Sequence, residues 1–443
     1  MQIIPGAVRE VLRRLTDAGH EAWCVGGCVR DILLQREPDD WDVTTSALPE
    51  ETLKLFGDDA VPTGLQHGTV TVRTDVGHVE VTTYRTDGSY GDGRHPDSVR
   101  FTRSLTEDLA RRDFTVNAIA MNACGELRDP MGGVVDLTAH CLRCVREPDV
   151  RFGEDALRIM RGLRFSSALG FDIEPDTAKS IHENRALLRK IAPERIRVEL
   201  DKLLCGDSVA NVLRKYPDVL GVFLPEILPA VGLAQNSRYH CYDVWEHTLH
   251  SVAAITPDPI LRMAMFLHDL GKPSCHSVDE SGCDHFYGHS KVSYDLAKGI
   301  LDRLKYDNER RRAILTLVER HDWPVEPTEK SVRRGLRILG ENDMRRLLEV
   351  KRADNRAQSM EYLYRQEEID RIEQIMDALV AQDACFSLKQ LAVNGNDLMA
   401  MGFRGVHIGN MLNLLLTAVV DGELKNDRNA LLEYAQKCET KQK

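Results

Sequence analysis

The sequence lacks the features of a membrane or secreted protein. No window of its 443 residues approaches the apolar length of a membrane span. The opening residues have no basic segment followed by an apolar run. They space Val8, Leu12 and Leu15 as an amphipathic helix does, so we do not expect a signal peptide. The eleven cysteines are scattered and odd in number, and we expect them to be reduced thiols in a cytoplasmic protein.

The sequence also lacks fixed-period repeats, low-complexity segments and an overall excess of basic residues. Its formal net charge of -11 argues against a protein that coats nucleic acid without specificity. Two segments are nevertheless locally basic: residues 158–202 hold ten Lys and Arg against seven Asp and Glu, and residues 298–337 hold eleven against seven. Each is either a solvated helix face or a surface that follows RNA phosphates.

Strand patterns are concentrated at the beginning of the chain. DWDVTT (40–45) alternates like a strand, and GTVTVRTDVGHVEVTTYR (68–85) predicts two strands joined by a turn near Asp75 to Gly77. After about residue 150, long helical patterns dominate, and joints are expected near 140–150, 225–240 and 365–390. We therefore predict an α+β protein, with a head of mixed sheet and helices followed by an elongated all-α region.

Residues 26–42, GGCVRDILLQREPDDWD, combine a glycine pair, a cation and two spaced carboxylates. If DWDVTT is a strand, Asp40 and Asp42 face the same way, which is costly unless a cation lies between them. Mg²⁺ uses one or two carboxylates together with phosphate oxygens, and Glu80 is the candidate third carboxylate on a neighbouring strand. Gly26 and Gly27 would let backbone N–H groups approach phosphates at a helix start, and Arg30 would add a positive fork.

The joint pattern GG-x-V-R-D, eight residues and then D-x-D resembles the signature of the class II nucleotidyltransferases. This group contains bacterial CCA-adding tRNA nucleotidyltransferases and poly(A) polymerases, and it shares the catalytic core of DNA polymerase β. The resemblance implies a DNA polymerase β-like head, Mg²⁺ at Asp40 and Asp42, and CTP and ATP as nucleotides. It also implies the 3′ end and acceptor arm of tRNA as the partner.

Three further segments agree with this resemblance. In LTEDLARRDFTVNAIAMN (105–122) it implies that Arg111 contacts the triphosphate, and that Asp113 and Asn117 organise the junction of head and neck. RFGEDALRIMRGLRF (151–165) looks like the nucleotide-selecting helix, and PERIRVEL (193–200) places Arg195 and Glu199 one turn apart.

On the nucleotide-selecting helix, Asp155 and Arg158 are three residues apart and are expected to share a face. A carboxylate can accept from the exocyclic amine of cytosine or adenine while a guanidinium donates to ring acceptors, so such a pair accepts C and A. The resemblance makes Asp155 and Arg158 this template, with Arg161 and Arg164 supporting the nucleotide. The alternative for each segment is an ordinary salt bridge on a helix.

The choice among family members stays partly open. Ala156 stands where poly(A) polymerases of this group usually have proline, which favours CCA addition. The glycine-rich DGSYGDGRHPD (87–97) is long enough to be the loop that full CCA-adding enzymes need in order to switch from C to A. An A-adding enzyme and a poly(A) polymerase remain alternatives. So does a non-catalytic RNA-binding protein with a degenerate head.

The helical region carries a second resemblance. His247, His268–Asp269 in FLHDLGKP, and Asp354 resemble the H…HD…D pattern of HD-domain phosphohydrolases, and His289 and His321 could bind a second metal. Such residues can hold a divalent transition metal that activates water. The resemblance implies phosphatase or 2′,3′-cyclic phosphodiesterase activity toward damaged RNA ends. One rival reading makes this hydrolase the main activity, with the head as a nucleotide-binding regulator.

Neither cysteine-containing segment is expected to bind metal. CLRC (141–144) has no second pair of cysteines, and CHSVDESGCDH (275–285) is interpreted as a loop.

The predicted organisation is a nucleotidyltransferase head at 1–140, a helical neck for nucleotide selection and RNA binding at 141–225, an HD domain at 226–362, and a helical tRNA-binding tail at 363–443. The sequence leaves the oligomeric state open.

Overall fold

The structure is a computed structural model, and it describes residues 4–75, 77–88, 99–382 and 385–442. The chain divides into two compact units, Met1–Leu228 and Pro229–Lys443. This boundary falls within the joint predicted at 225–240, while the finer division into four parts stays a prediction. Most of the predicted switching loop lies outside the described residues, since these omit 89–98.

The first unit contains a mixed sheet on which the predicted carboxylates lie. The strands of this unit are β1 Ala22–Val25, β2 Trp41–Thr45, β3 Ala60–Gly64, β4 Thr69–Thr74, β5 Gly77–Thr83, β6 Arg85–Asp87, β7 Val99–Phe101, β8 Ala120–Met121, β9 Leu127–Arg128, β10 Cys141–Leu142 and β11 Asp172–Ile173. Within the described residues the sheet order is β3-β4-β5-β2-β1-β8-β9, with β2 and β5 parallel and the other pairs antiparallel. The predicted hairpin is confirmed, since β4 and β5 are antiparallel and their turn closes at Thr74 and Gly77.

Helices cover the sheet and then continue alone. The amphipathic pattern at the start is confirmed, because Val8, Leu12 and Leu15 are buried in the same core cluster as Val43 and Val81 of the sheet. The helices of this unit are α1 Gly6–Asp17, α2 Gly27–Leu33, α3 Pro49–Phe56, α4 Leu105–Ala110, α5 Gly133–Thr138, α6 Pro148–Glu154, α7 Leu157–Leu169, α8 Pro175–Asn184, α9 Pro193–Leu204, α10 Val209–Lys215 and α11 Pro217–Leu220.

Within its described residues the second unit is helical, apart from a short hairpin of β12 Ser277–Val278 and β13 Asp284–His285 in the segment interpreted as a loop. The helices of this unit are α12 Val244–Ala254, α13 Pro259–Leu267, α14 Lys272–Cys275, α15 His289–Arg303, α16 Asn308–Arg320, α17 Glu329–Arg356, α18 Arg365–Ala381, α19 Gly395–Ala400, α20 Val406–Val420 and α21 Arg428–Gln442. Helix α13 packs against α16 and α17, and α12 packs against α13 and α17. Among the residues that the structure describes, no helix is both long and apolar enough to cross a membrane.

Candidate functional site

Carboxylates meet on two adjacent parallel strands of the first unit. Asp42 of β2 pairs in register with Glu80 of β5, and the exposed Asp40 immediately precedes β2. Burial raises the pKa of Asp42 above its ordinary value; Arg112 opposes this, while the negative charges of Glu80 and Asp40 add to it. Because the carboxylates disfavour one another's charged forms, a divalent cation bound among them would be stabilising.

The turn between β1 and α2 brings the backbone close to these carboxylates. Gly26 has a φ of 82°, a conformation that favours glycine. A Cβ atom added to Gly26 would lie 3.2 Å from Nη1 of Arg112 and 3.6 Å from Oδ2 of Asp42. Helix α2 therefore begins at Gly27 beside Asp42, where backbone N–H groups can approach a phosphate.

Arg30 is buried and is fixed by two neighbours. Its Nε and Nη2 atoms donate to the carboxylate of Asp31 at 2.9 Å each, and its Nη1 donates to Oδ1 of Asn117 at 2.8 Å. Asn117 in turn donates to Oδ1 of Asp113 at 3.2 Å. The predicted residues Arg30, Asp113 and Asn117 thus form one hydrogen-bonded network next to the sheet.

The guanidinium beside Asp42 belongs to Arg112 and not to its neighbour. Arg111, the predicted triphosphate contact, directs Nε and Nη2 toward Oδ1 of the fully buried Asp108, each at 2.9 Å. Arg112 lies against the Gly26 turn, with Nη2 3.7 Å from Asp108. The sequence offers no signal that separates the two adjacent arginines, because the backbone after α4 decides which of them faces the carboxylates. The geometry favours Arg112 for the role predicted for Arg111.

The predicted nucleotide-selecting helix is interrupted at Asp155. Helix α6 ends at Glu154, α7 begins at Leu157, and Asp155 between them is extended, with φ −137° and ψ 102°. The expectation that Asp155 and Arg158 share a helical face is therefore wrong. The reason is local: Oδ1 of Asp155 accepts from the N–H of Leu157 at 3.0 Å, a side-chain-to-backbone hydrogen bond that competes with continued helix. Its Oδ2 lies 3.4 Å from Nη2 of Arg195.

Arg158 has a different carboxylate partner. Its Nη1 lies 2.7 Å from the carboxylate of Glu154, and its Nη2 donates to the carbonyl oxygen of Arg111 at 3.2 Å. The side chain of Arg158 is only 9% exposed, against 25% for Glu154. The i,i+4 salt bridge that the sequence left as an alternative is thus present, but it joins Arg158 to Glu154.

Three guanidinium groups surround the ring of Phe165 on α7. The Cζ atoms of Arg30, Arg161 and Arg164 lie 5.3, 5.3 and 4.0 Å from its centroid. Such contacts are attractive because the face of an aromatic ring carries partial negative charge. No role was predicted for Phe165 from the sequence, although its place one residue after Arg164 in the RGLRF string was a usable signal. The cluster concentrates positive charge in the part of the first unit that also holds Asp113.

Carboxylates keep these cations in place. Arg161 donates to Oδ2 of Asp113 at 2.8 Å, and Nε of Arg164 lies 3.3 Å from Oε2 of Glu199. Burial raises the pKa of the Asp113 carboxyl, but Arg161 outweighs burial and holds this pKa well below its usual range. Glu199 is therefore recognised as the partner of Arg164, just as Arg195 is the partner of Asp155.

The predicted HD residues come together in the second unit. His247 on α12, His268 after α13 and Asp354 on α17 place three ligand atoms within 4.8 Å of one another, and we call them the first triad. Asp269, His289 and His321 form a second triad with the same spacing. Oδ2 of Asp269 lies 3.2 Å from Nε2 of His268, and its Oδ1 lies 3.3 Å from Nε2 of His289, so Asp269 joins the triads.

Both triads have the chemistry of a divalent metal centre. Burial lowers the pKa of His268, but the carboxylates of Asp269 and Asp354 outweigh burial and raise it to about 10. A site that keeps a buried imidazole protonated has negative charge in excess, and a divalent cation can replace such protons. Nε2 of His268 and Oδ2 of Asp269 are both buried and lie 3.2 Å apart, and Nζ of Lys272 lies 2.7 Å from the same oxygen. Imidazole with carboxylate suits the divalent transition metals from manganese to zinc.

A third, more open group lies on the hairpin interpreted as a loop. Asp279, Cys283 and His285 also place ligand atoms within 4.8 Å. Asp279 already accepts hydrogen bonds from backbone N–H groups of the turn and lies 2.8 Å from Nε2 of His285. These contacts close the hairpin, and the expectation that the segment does not bind metal stays a prediction.

Three protein-family models match separate parts of the chain. The model "Poly A polymerase head domain" matches residues 22–143, "Probable RNA and SrmB- binding site of polymerase A" matches 170–229, and a tRNA nucleotidyltransferase domain 2 model matches 287–435. A mixed sheet with clustered carboxylates and arginines, in a chain with these matches, defines a nucleotidyltransferase. None of the three descriptions names an HD domain, so the triads rest on geometry.

Individual relatives show to which family of nucleotidyltransferases the chain belongs. The CCA-adding enzyme of Streptococcus gordonii is 34% identical over 98% of both chains, and that of Limosilactobacillus reuteri is 48% identical over 227 residues. The latter alignment spans only 55% of the relative, about half its length. The Bacillus stearothermophilus CCA-adding enzyme in complex with CTP has a TM-score of 0.75 at 30% identity, over 98% of both chains. The chain belongs to the family of CCA-adding enzymes.

A more distant solved structure supports the fold alone. The Thermotoga maritima CCA-adding enzyme complexed with tRNA has a TM-score of 0.57 at 19% identity, and it covers 97% of this chain. The predicted α+β class, with a polymerase-type head followed by a helical region, is thereby confirmed.

Proposed function

We propose that the protein adds C, C and A in turn to the 3′ ends of tRNA, using CTP and ATP, with release of pyrophosphate at each step. The observation that carries the proposal is the register pair of Asp42 and Glu80 beside the Gly26 turn and the Arg112 guanidinium. The match to the Streptococcus gordonii enzyme along almost the entire chain supports it. The attacking group is the tRNA 3′-hydroxyl, and the bond that breaks joins the α- and β-phosphates.

The carboxylates fit Mg²⁺ because they are hard oxygen ligands. Burial also disfavours the charged form of Asp42, and a bound cation would stabilise that form. Asp40 and Asp42 would hold the metal, with Glu80 completing the group. When bound, Mg²⁺ lowers the energy of the negative charge that develops at the reacting phosphate. The chain itself contributes Arg112, which lies beside Asp42 and can neutralise triphosphate charge, and the N–H groups at Gly27, which can donate to phosphate oxygens.

Nucleotide choice is assigned to Asp155 and Arg158, supported by Arg161 and Arg164. Here Asp155 contacts Arg195, and Arg158 contacts Glu154. Base recognition then requires each template residue to exchange a protein partner for the Watson–Crick edge of C or A. Because Asp155 lies in the break between α6 and α7 while Arg158 lies on α7, a small change at the break would alter their spacing. The helical neck and tail are proposed to contact tRNA phosphates, a shape-based mode that suits many tRNAs.

Incorporation of labelled nucleotides tests this function. CTP and ATP would be supplied separately and together to tRNA that ends before CCA, to tRNA that ends after CC, and to a generic RNA. The proposal expects two C and one A on the first substrate and one A on the second. Addition of A alone, only to CC ends, would make the protein an A-adding enzyme. Runs of A on generic RNA would make it a poly(A) polymerase.

A second function is supported by the two triads. We propose that they hold divalent metal and that the second unit hydrolyses phosphate esters at RNA ends as a phosphatase or cyclic phosphodiesterase. When bound, the metal makes a coordinated water a better nucleophile. His247, His268, Asp269 and Asp354 would be its ligands, with His289 and His321 extending the centre to a second ion.

Metal analysis of the purified protein tests the second function independently of activity. We expect the wild type to retain divalent metal after dialysis and His268→Ala to lose it, with CCA addition unchanged in that variant. Equal metal content in wild type and variant would contradict the proposal. The rival in which the hydrolase is the main activity expects instead that Asp40→Ala leaves the principal activity intact.

A further inference from the structure

A cavity of about 480 Å³ opens onto the second triad and contains groups that metal binding does not require. Asp269, His289 and His321 lie on its wall, as does Asp354 of the first triad. Cavities of this size commonly hold small organic ligands. Its remaining lining therefore indicates what the centre acts on.

One part of the lining is an exposed aromatic platform. Tyr287 is 78% exposed, and its ring stacks on the imidazole of His285, with centroids 5.1 Å apart and planes 9° apart. Nε2 of His285 lies 2.8 Å from Oδ2 of Asp279, which fixes the lower ring. A tyrosine so exposed contributes little to folding, so one face of its ring is free for a ligand at the cavity.

Two cations also line the cavity. Lys272 is 4% exposed, and its Nζ lies 2.7 Å from Oδ2 of Asp269. Arg365 lies with its guanidinium carbon 5.5 Å from the ring centroid of Tyr239, a second aromatic residue of the lining. Cations next to a metal centre suit an anion such as a phosphate group, which is bound by charge-assisted hydrogen bonds.

We propose that this site takes a nucleoside phosphate, namely an unpaired 3′-terminal nucleotide whose base stacks on Tyr287 while its phosphate reaches the triads. The inference rests on the second proposed function and specifies its substrate. A flat ring with one open face recognises another flat ring, and bases stack on aromatic side chains regardless of sequence. Sugar phosphates and aliphatic phosphate esters lack a ring and would leave the platform unused.

The reaction is balanced by water alone. With a phosphate monoester, water adds to phosphorus, the P–O bond to the nucleoside breaks, and the nucleoside oxygen takes a proton as inorganic phosphate leaves. With a 2′,3′-cyclic phosphate, water opens the ring by the same exchange and leaves a monoester. Tyr287 makes no bond in either reaction, so it is a specificity-determining residue whose effect falls on KM and not on kcat.

The test compares adenosine 3′-phosphate with glycerol 2-phosphate, which is a monoester without a base, on the full chain with added Mn²⁺. Tyr287→Ala should raise KM for the nucleotide about 5- to 150-fold, the range expected for one base–aromatic stack, and leave kcat unchanged. It should leave both constants for glycerol 2-phosphate unchanged. Tyr287→Trp should restore nucleotide KM. Tyr364→Ala is the matched control, because Tyr364 is 54% exposed in the same unit and is not among the described residues that line the cavity.

Failure of this inference differs from failure of the second function. If wild type hydrolyses both esters with similar KM and Tyr287→Ala changes neither, the hydrolase stands and the nucleotide platform is overturned. If wild type hydrolyses neither ester, equilibrium binding of adenosine 3′-phosphate decides. Binding weakened by Tyr287→Ala supports the platform without hydrolysis, and binding that is absent or unaffected by the substitution overturns it.

Discussion

Arg112→Met removes the guanidinium that lies beside Asp42 and replaces it with an uncharged chain. The Arg112 side chain is 19% exposed, and within the described residues its one ion pair is long, at 3.7 Å from Asp108, so the folded head should tolerate the change. A hydrogen bond to a charged group contributes about 1.5–3 kcal/mol. Since about 1.36 kcal/mol corresponds to a tenfold change in rate, loss of one such bond to the triphosphate predicts a fall of about 10- to 150-fold in kcat/KM for CTP.

The matched control is Arg111→Met, one residue earlier. Arg111 pairs with a carboxylate that is fully buried, with both guanidinium contacts at 2.9 Å. Removal of one partner from a buried ion pair costs about 3–5 kcal/mol, and because Arg112 remains near Asp108 we expect the lower end of that range. Arg111→Met should therefore lower the unfolding temperature of the protein while leaving kcat/KM of the folded fraction close to wild type.

The assay is steady-state incorporation of labelled CTP into tRNA that lacks CCA, over a range of CTP concentrations, with thermal unfolding of each variant measured in parallel. The reasoning is refuted if Arg111→Met lowers kcat/KM by two orders of magnitude at unchanged unfolding temperature while Arg112→Met behaves as wild type. In that case the arginine predicted from the sequence would be the triphosphate contact after all.

Three further outcomes follow from single sites. Gly26→Ala places a side chain at a φ of 82° and 3.2 Å from Nη1 of Arg112, so thermal unfolding should show a loss of about 1–3 kcal/mol, and KM for CTP should rise. Asp113→Asn removes the buried carboxylate that pairs with the half-buried Arg161 and should cost about 1.5–3 kcal/mol in urea unfolding, as expected for a hydrogen bond to a charged group. Because the pKa of Asp113 is depressed in the folded state, its contribution is present above about pH 4 and is lost as pH falls further, and the Asn variant should not show this loss. Burial raises the pKa of Cys144 to about 12, so iodoacetamide at pH 8 should leave it unmodified in the folded protein, and rapid labelling, as expected for the exposed Cys124, would contradict this.

Local patterns predicted the parts of the fold that depend on neighbouring residues. The spacing of Val8, Leu12 and Leu15 predicted α1, and the alternation of 68–85 predicted the β4–β5 hairpin. Glu80 was predicted on a strand next to that of Asp42, and the structure pairs them in register. The His and Asp residues of the triads, far apart in the sequence, were grouped by their resemblance to a known pattern, and the helices bring them together.

One error arose where a single backbone turn decides the outcome. RFGEDALRIMRGLRF has a continuous helical pattern, yet Asp155 is extended, accepts from the N–H of Leu157 and separates α6 from α7. Helical periodicity cannot show whether an aspartate continues a helix or caps one, because the two conformations are close in free energy. In the same way, the RRD string does not show whether Arg111 or Arg112 faces the carboxylates, since one residue of register separates them.

Asp42 of β2 is the residue on which the proposed nucleotide addition depends most directly. The direct measurement is Mg²⁺-dependent incorporation of CTP and ATP into tRNA that ends before CCA, by wild type, Asp42→Asn and His268→Ala. We predict two C and one A for wild type and His268→Ala, and no incorporation for a folded Asp42→Asn. Full incorporation by Asp42→Asn, or none by wild type, would contradict this assignment and would favour the two triads of the second unit as the principal active site.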